Sequence, residues 1–134
     1  MTEQQINPRK LVEDFMVKAP VTIERWQPVA HARQLMLMHS FSFLPVFIDE
    51  WKLLSEVAMA RYLRGGGIWN KMLAATIEEA SNAGLCLVKA EVVNLKREVT
   101  ELLNTTAKNS SPTLWLVEEK PGALCGVLSP FELM

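Results

Sequence analysis

The sequence predicts an α/β (α+β) protein made of two β-α-β-β-α units, related by a pseudo-twofold axis and packed into one module. Two observations of repetition and one of order predict it. Met16-Val17-Lys18-Ala19-Pro20-Val21 returns as Leu87-Val88-Lys89-Ala90-Glu91-Val92, with four of six positions identical at an offset of 71. The same offset carries residues 53–63 onto 124–134, and apolar residues match at 53, 54, 57 and 63. In both halves a helical apolar pattern is followed by a continuous apolar run. Similarity at a fixed offset marks repeated supersecondary units that bury their apolar faces against a neighbour. Function is therefore expected in the cleft between the two units.

The elements follow in order. Asn7 as cap and Pro8 at the first helical position predict a short lead-in helix, with Leu11, Val12, Phe15 and Met16 on one face. Val21-Thr22-Ile23 has the β-branched content of a strand. Pro28 opens a helix that runs through His39, with Val29, Ala32, Leu35 and Met36 on its apolar side. The run Phe43–Ile48 predicts a strand buried on both faces, ended by Asp49-Glu50. Leu53 to Val57 then predicts a strand and Ala58 to Leu63 a helix. Gly65-Gly66-Gly67 breaks that helix and is expected to act as the hinge. From Ile68 one connecting helix is expected, with Trp69, Leu73, Ile77 and Ala80 at helical spacing and Gly84 as its stop. The second unit repeats the order: strand 92–95, helix Glu98 to Lys108, buried strand Thr113 to Val117 and its partner Ala123 to Leu128. The expected division is a lead-in of 1–10, a first unit of 11–64, a hinge and helix of 65–84, and a second unit of 85–134.

Composition narrows the function classes. With 134 residues, 49% hydrophobic and 22% charged, the chain suits one compact globular core and not a disordered segment. A net charge of −1 and a pI near 6.1 leave no basic excess to neutralise a phosphate backbone, so nucleic acid is not an expected partner. The apolar runs fall far short of the roughly 20 residues of a membrane span. Met1-Thr2-Glu3-Gln4-Gln5 does not read as a signal peptide, so a cytoplasmic location and no membrane association are expected. Cys86 and Cys125 stand alone among apolar residues and are expected to be buried thiols.

In this order, Phe15-Met16, Ala32-x-x-Leu35-Met36, Leu44-Pro45-Val46 and the closing Gly126-Val127-Leu128-Ser129-x-x-Glu132 resemble the motifs of a CBS-domain pair, also called a Bateman module. The likeness spans about residues 11–134, and the combination is more specific than any one motif. It implies a regulatory module that senses an adenine nucleotide or related adenosyl ligand, such as AMP, ADP, ATP or S-adenosylmethionine. It implies no enzyme, no catalytic residues and no required cofactor. By the same resemblance Lys89, Ala90, Val92, Leu114, Gly126, Ser129 and Glu132 are expected to bind the ligand. Ala90 would admit a flat ring, Gly126 would lie beside it, and Glu132 would meet the ribose hydroxyls. The matching positions Lys18, Ala19, Val21, Pro45, Ser55, Ala58 and Arg61 form a degenerate second site, because the Gly, hydroxyl and acid of the motif become Ser55, Ala58 and Arg61. A homodimer and an effector protein acting in trans are the partners it implies.

The residues also carry plainer readings. Ser129-Pro130-Phe131-Glu132 is a capping box in its own right, and a helix N-terminus with unpaired N–H groups can bind a phosphate oxygen. Arg61 reads either as a solvent-facing helix residue or as a contact for an acidic ligand. His31 and His39 are eight residues apart on one helix, too far to share a metal, so no metal site is expected. Glu78-Glu79 and Glu118-Glu119-Lys120 read as solvated faces or turns. Of the four tryptophans, Trp51 in a turn is expected to be the exposed one. The alternative to ligand sensing is a degenerate pair that serves as a dimerisation or docking module.

Overall fold

The computed structural model describes residues 10–106 and 114–134. In chain order its elements are β1 (Val17–Lys18), α1 (Val29–His39), β2 (Phe43–Ile48), β3 (Glu50–Ser55), α2 (Glu56–Leu63), α3 (Trp69–Ala74), α4 (Ile77–Asn82), β4 (Val88–Lys89), β5 (Glu91–Asn94), α5 (Val99–Thr106), β6 (Trp115–Lys120) and β7 (Ala123–Leu128). Their contacts fall into two compact units, Val21–Ala90 and Met1–Pro20 with Glu91–Met134. The expected helix start at Asn7-Pro8 and the expected ends at Lys108 and Thr113 lie outside the described residues.

In the unit Val21–Ala90, Pro28 takes the N-cap position of α1 with extended backbone, and Val29, Ala32 and Met36 form its buried side. Ser40 ends the helix at φ 57, where Phe41 N–H closes the last turn on Met36 O at 3.2 Å. β2 has the predicted bounds, and Leu44, Val46 and Ile48 are buried along it. β2 ends before Asp49 as expected, but its partner β3 already starts at Glu50. Asp49 alone makes the turn, at φ 66, a left-handed position that Asp tolerates better than most residues. Trp51 consequently sits inside β3 and is half-buried, edge-to-face with Phe47 at 5.3 Å; the exposed indoles are Trp26 and, to a lesser degree, Trp69. β3 is two residues shorter than expected at its far end, because Ser55 Oγ accepts the Ala58 N–H at 3.0 Å and starts α2 at Glu56. Val57 is helical.

The single helix expected from Ile68 is two helices. Thr76 and Glu79 form a reciprocal capping box, with Glu79 N–H on Thr76 Oγ1 at 3.1 Å and Thr76 N–H on Glu79 Oε1 at 2.9 Å. Such a box satisfies two orphan donors at a helix start, which places a new N-terminus in mid-segment. Ile77, Ala80 and Leu85 close on the core of Ile23, Leu44, Val46, Leu54 and Met59. The three-stranded antiparallel sheet has the order β2-β3-β4.

The expected strand at Val21–Ile23 does not form. One ladder bond is present, Ile23 N–H to Pro45 O at 3.0 Å. In a parallel ladder a residue whose carbonyl accepts on one side also donates its N–H there, and Pro45 has no N–H to give. Proline is tolerated in β2 because β2 is an edge strand.

In the other unit the sheet has the order β1-β7-β6-β5, with β5 parallel to β6 and the remaining pairs antiparallel. Among the described residues the lead-in forms a 3-10 turn over Val12–Asp14. Its Val12 still reaches the core of Val93, Leu102, Trp115, Val117 and Leu128, with Phe15 and Met16 packed against it. The chain closes on a second 3-10 turn, Pro130–Leu133. Among the described residues no helix is long and apolar enough to cross a membrane.

Candidate ligand-binding site

Both repeats of Val-Lys-Ala become two-residue strands, and each pairs with the last strand of the neighbouring β-β hairpin in its own unit: β1 with β7, and β4 with β3. That arrangement decides where the expected ligand residues lie. In the four-stranded sheet Lys18 pairs with Gly126 and Val92 with Leu116, which in turn pairs with Val127. Leu114 precedes and Ser129 follows the terminal pair Trp115–Leu128. Val92, Leu114, Gly126 and Ser129 are thus gathered toward one end of one sheet, with Glu132 one turn further on.

Gly126 is buried, and its lack of a side chain has a local cause. A Cβ there would lie 2.6 Å from Met16 Sδ and 3.0 Å from Val17 O. The glycine therefore lets β1 approach β7. Ser129 and Glu132 are tied to each other: the Ser129 N–H and Oγ–H both donate to Glu132 Oε1, each at 2.7 Å. This is the capping arrangement read from the sequence, and its hydrogen bonds fall on Oε1. Glu132 is half-buried.

Lys89 and Ala90 belong to the unit Val21–Ala90. Lys89 is exposed and pairs with Glu50 at 3.7 Å; Ala90 is buried and its N–H donates to Trp51 O at 3.0 Å. Lys18 and Ala19 are exposed, with Ala19 at φ 55.

Three of the seven positions expected to form a degenerate site border one hollow. Ser55, Ala58 and Arg61 line a cavity of about 240 Å³ together with Val57, Tyr62, Gly84, Cys86 and Val88. Pro45, buried in β2, and Val21, half-buried against the same core, stand apart from that lining. Arg61 and Tyr62 also line an adjoining hollow of about 430 Å³. Sequence reasoning missed Tyr62, Gly84 and Cys86 here, and the signal available for Cys86 was misleading. Its apolar neighbours suggested burial, but it is exposed, while Leu85 on one side enters the core and Leu87 on the other packs against it. Cys125 is half-buried, and its thiol donates to Val117 O at 3.4 Å. Burial and then the charge of Glu119 push that thiol above its ordinary range.

A third cavity, of about 250 Å³, lies between α1, α2 and α3 over Met36, Leu37, Phe41, Met59 and Leu63. The Arg33 and Arg64 guanidiniums stand 5.6 and 5.4 Å from the Trp69 ring centre at its edge. His39 stacks on Phe41 at 5.1 Å, and no group of three or more His, Cys, Asp or Glu among the described residues is placed to hold a metal ion.

Comparison of the sequence with protein-family models and with curated proteins gave no match. Solved structures do match. A CBS domain-containing protein from Bacillus anthracis str. Ames Ancestor superposes with a TM-score of 0.71 at 15% identity, over 97% of this chain and 94% of that one. The chain has the fold of a tandem CBS-domain pair. A putative acetoin utilization protein from Vibrio cholerae has a TM-score of 0.70 at 18% identity, over 94% and 88% of the two chains. A CBS domain pair solved in complex with 5′-methylthioadenosine and S-adenosyl-L-methionine has a TM-score of 0.66 at 18% identity, over 94% of each chain. The CBS-pair fold is shared, while 15–18% identity leaves side-chain chemistry to be argued from this chain's own residues.

Proposed function

We propose that this chain is a regulatory module that senses an adenosyl small molecule and does not catalyse a reaction. The observation that carries the reading is the gathering of Val92, Leu114, Ser129 and Glu132 at one sheet end, in a fold whose solved examples include a pair holding 5′-methylthioadenosine and S-adenosyl-L-methionine. Val92 and Leu114 offer apolar contact to a base, and a carboxylate accepts charge-assisted bonds from vicinal hydroxyls about twice as strong as neutral ones. Glu132 Oε1 is engaged by Ser129, so Oε2 is the oxygen for a ribose. A homodimer that reports ligand level to an effector in trans completes this reading.

The test is a thermal-shift screen against AMP, ADP, ATP and S-adenosylmethionine, followed by calorimetry. A ligand bound only by the folded state raises the melting temperature by mass action. Glu132→Gln keeps an oxygen for the cap but removes the charge. The expected result is a hit that this variant loses while its melting temperature without ligand stays close to that of the parent. Silence toward all four ligands overturns the reading.

Exposed apolar side chains favour the second reading, a docking or dimerisation module. Leu37, Met38, Ile68 and Trp69 are 65%, 66%, 63% and 37% exposed, and Leu37 and Trp69 border the cavity between α1, α2 and α3. Sedimentation across protein concentrations tests it.

A further inference from the structure

We infer that the hollow beside α2 is an anion site in which Arg61 binds a phosphate or carboxylate group. The inference uses other residues than the adenosyl reading and does not rest on it. Arg61 is the single charged residue that lines the cavity of about 240 Å³, and it is again the single charged residue lining the adjoining hollow. Among the described residues no acid lines either space. Among the described residues Arg61 takes part in no ion pair, whereas Arg25, Lys89, Lys96 and Arg97 each meet a glutamate.

The polar groups around this guanidinium are suited to donate. Ser55 Oγ already accepts the Ala58 N–H at 3.0 Å, which leaves its own hydrogen for a ligand, and the Tyr62 phenol is a second O–H donor. A guanidinium carries five donors in a fixed fork and stays charged at any working pH, which matches two oxygens of a carboxylate or phosphate. Val57 and Val88, which also line the cavity, accommodate a small apolar body attached to the anion. At the position 71 residues later, the other unit carries Glu132. The repeat therefore presents a cation in one unit and an anion in the other, and a ligand suited to one carboxylate end is not suited to this one.

The test uses the whole chain and three probes of one size: phenyl phosphate, benzoate and benzyl alcohol. Two readouts report on the cavity, the NMR signal of the Arg61 Nε–H and the rate at which a thiol reagent modifies Cys86, an exposed cavity residue. The expected result is a saturable shift of the Arg61 signal and slower Cys86 modification with phenyl phosphate, benzoate or both, and neither effect with benzyl alcohol. Whichever anion binds more tightly identifies the source of the charge. Arg61→Gln is expected to weaken binding about tenfold or more, the loss of a charge-assisted contact. Arg61→Lys falls between, and Arg33→Gln leaves it unchanged. Absence of a saturable response to both anions overturns the inference. So does equal affinity in Arg61→Gln, checked as folded by its melting curve, or an equal response to benzyl alcohol.

Discussion

Position 45 is proline and position 116, which lies 71 residues later, is leucine; the two sheets differ accordingly. Leu116 has a backbone N–H, and β5 runs parallel to β6 through the pair Val92–Leu116. Pro45 has none, and the counterpart segment Val21–Ile23 keeps only the bond that Pro45 can accept. The ends of the two hairpins differ as well. β7 continues to Leu128, and β1 covers it at Gly126 and Val127. β3 stops at Ser55, and β4 pairs further back, at Lys52 and Leu53. Where one unit needs glycine so that Met16 can lie over the strand, the other has a serine that turns the chain into α2. The repeat thus fixes the order of elements, while single residues decide how far each strand runs and which end is left open as a cavity.

Exchanging these two residue types breaks the comparison most directly. Gly126→Ser places a Cβ against Met16 Sδ and Val17 O at 2.6 and 3.0 Å. The thioether can move aside, but the strand carbonyl cannot. A loss of about 1–3 kcal/mol is expected, as for other overpacked sites. Ser55→Ala removes a cap and is expected to cost about 1 kcal/mol. Urea melts of both variants measure the contrast. If Gly126→Ser costs no more than Ser55→Ala, then the approach of β1 is not what requires glycine at 126.

A smaller effect is expected from Pro45→Leu. It restores the N–H that Leu116 has, and the carbonyl of Val21 is the acceptor a parallel ladder provides. The new amide at position 45 is expected to exchange with solvent slowly, on the order of the neighbouring β2 amides. Fast exchange there would show that Pro20 and the segment itself, and not the missing donor, prevent the strand.

These contrasts also explain what was legible in the sequence. β2, β7 and α1 were read with correct or nearly correct limits, because an apolar run or a helical period over six or more residues leaves few alternatives. The break at Thr76 was legible in principle from Thr76-x-x-Glu79, yet the apolar period of Trp69, Leu73, Ile77 and Ala80 ran across it. β1 and β4 have two residues each, too few for any period, although the repeated Val-Lys-Ala marked them. At the candidate site Ser55, Ala58 and Arg61 were legible by their offset. Tyr62, Gly84 and Cys86 join them only through the fold, since the chain returns to α2 from Gly84 onward.

The two cysteines give the finest comparison. Cys86 lies in the open segment before β4 and is exposed. Cys125 lies in β7 with its thiol on Val117 O, and burial first, then Glu119, with smaller contributions from Glu118 and Glu13, raise its pKa. The thiolate is the reacting form. A raised pKa leaves less thiolate at neutral pH, so Cys125 should react with iodoacetamide more slowly than Cys86, and its rate should climb only as the pH passes the ordinary thiol range. Peptide mapping by mass spectrometry separates the two sites. Glu119→Gln is expected to bring the rise of Cys125 to lower pH by removing a like charge, with Cys86 unchanged. Equal rates at neutral pH would mean that β7 opens to solvent faster than the reagent reacts. The packing of Met16 over Gly126 would then be too weak to close that edge of the sheet.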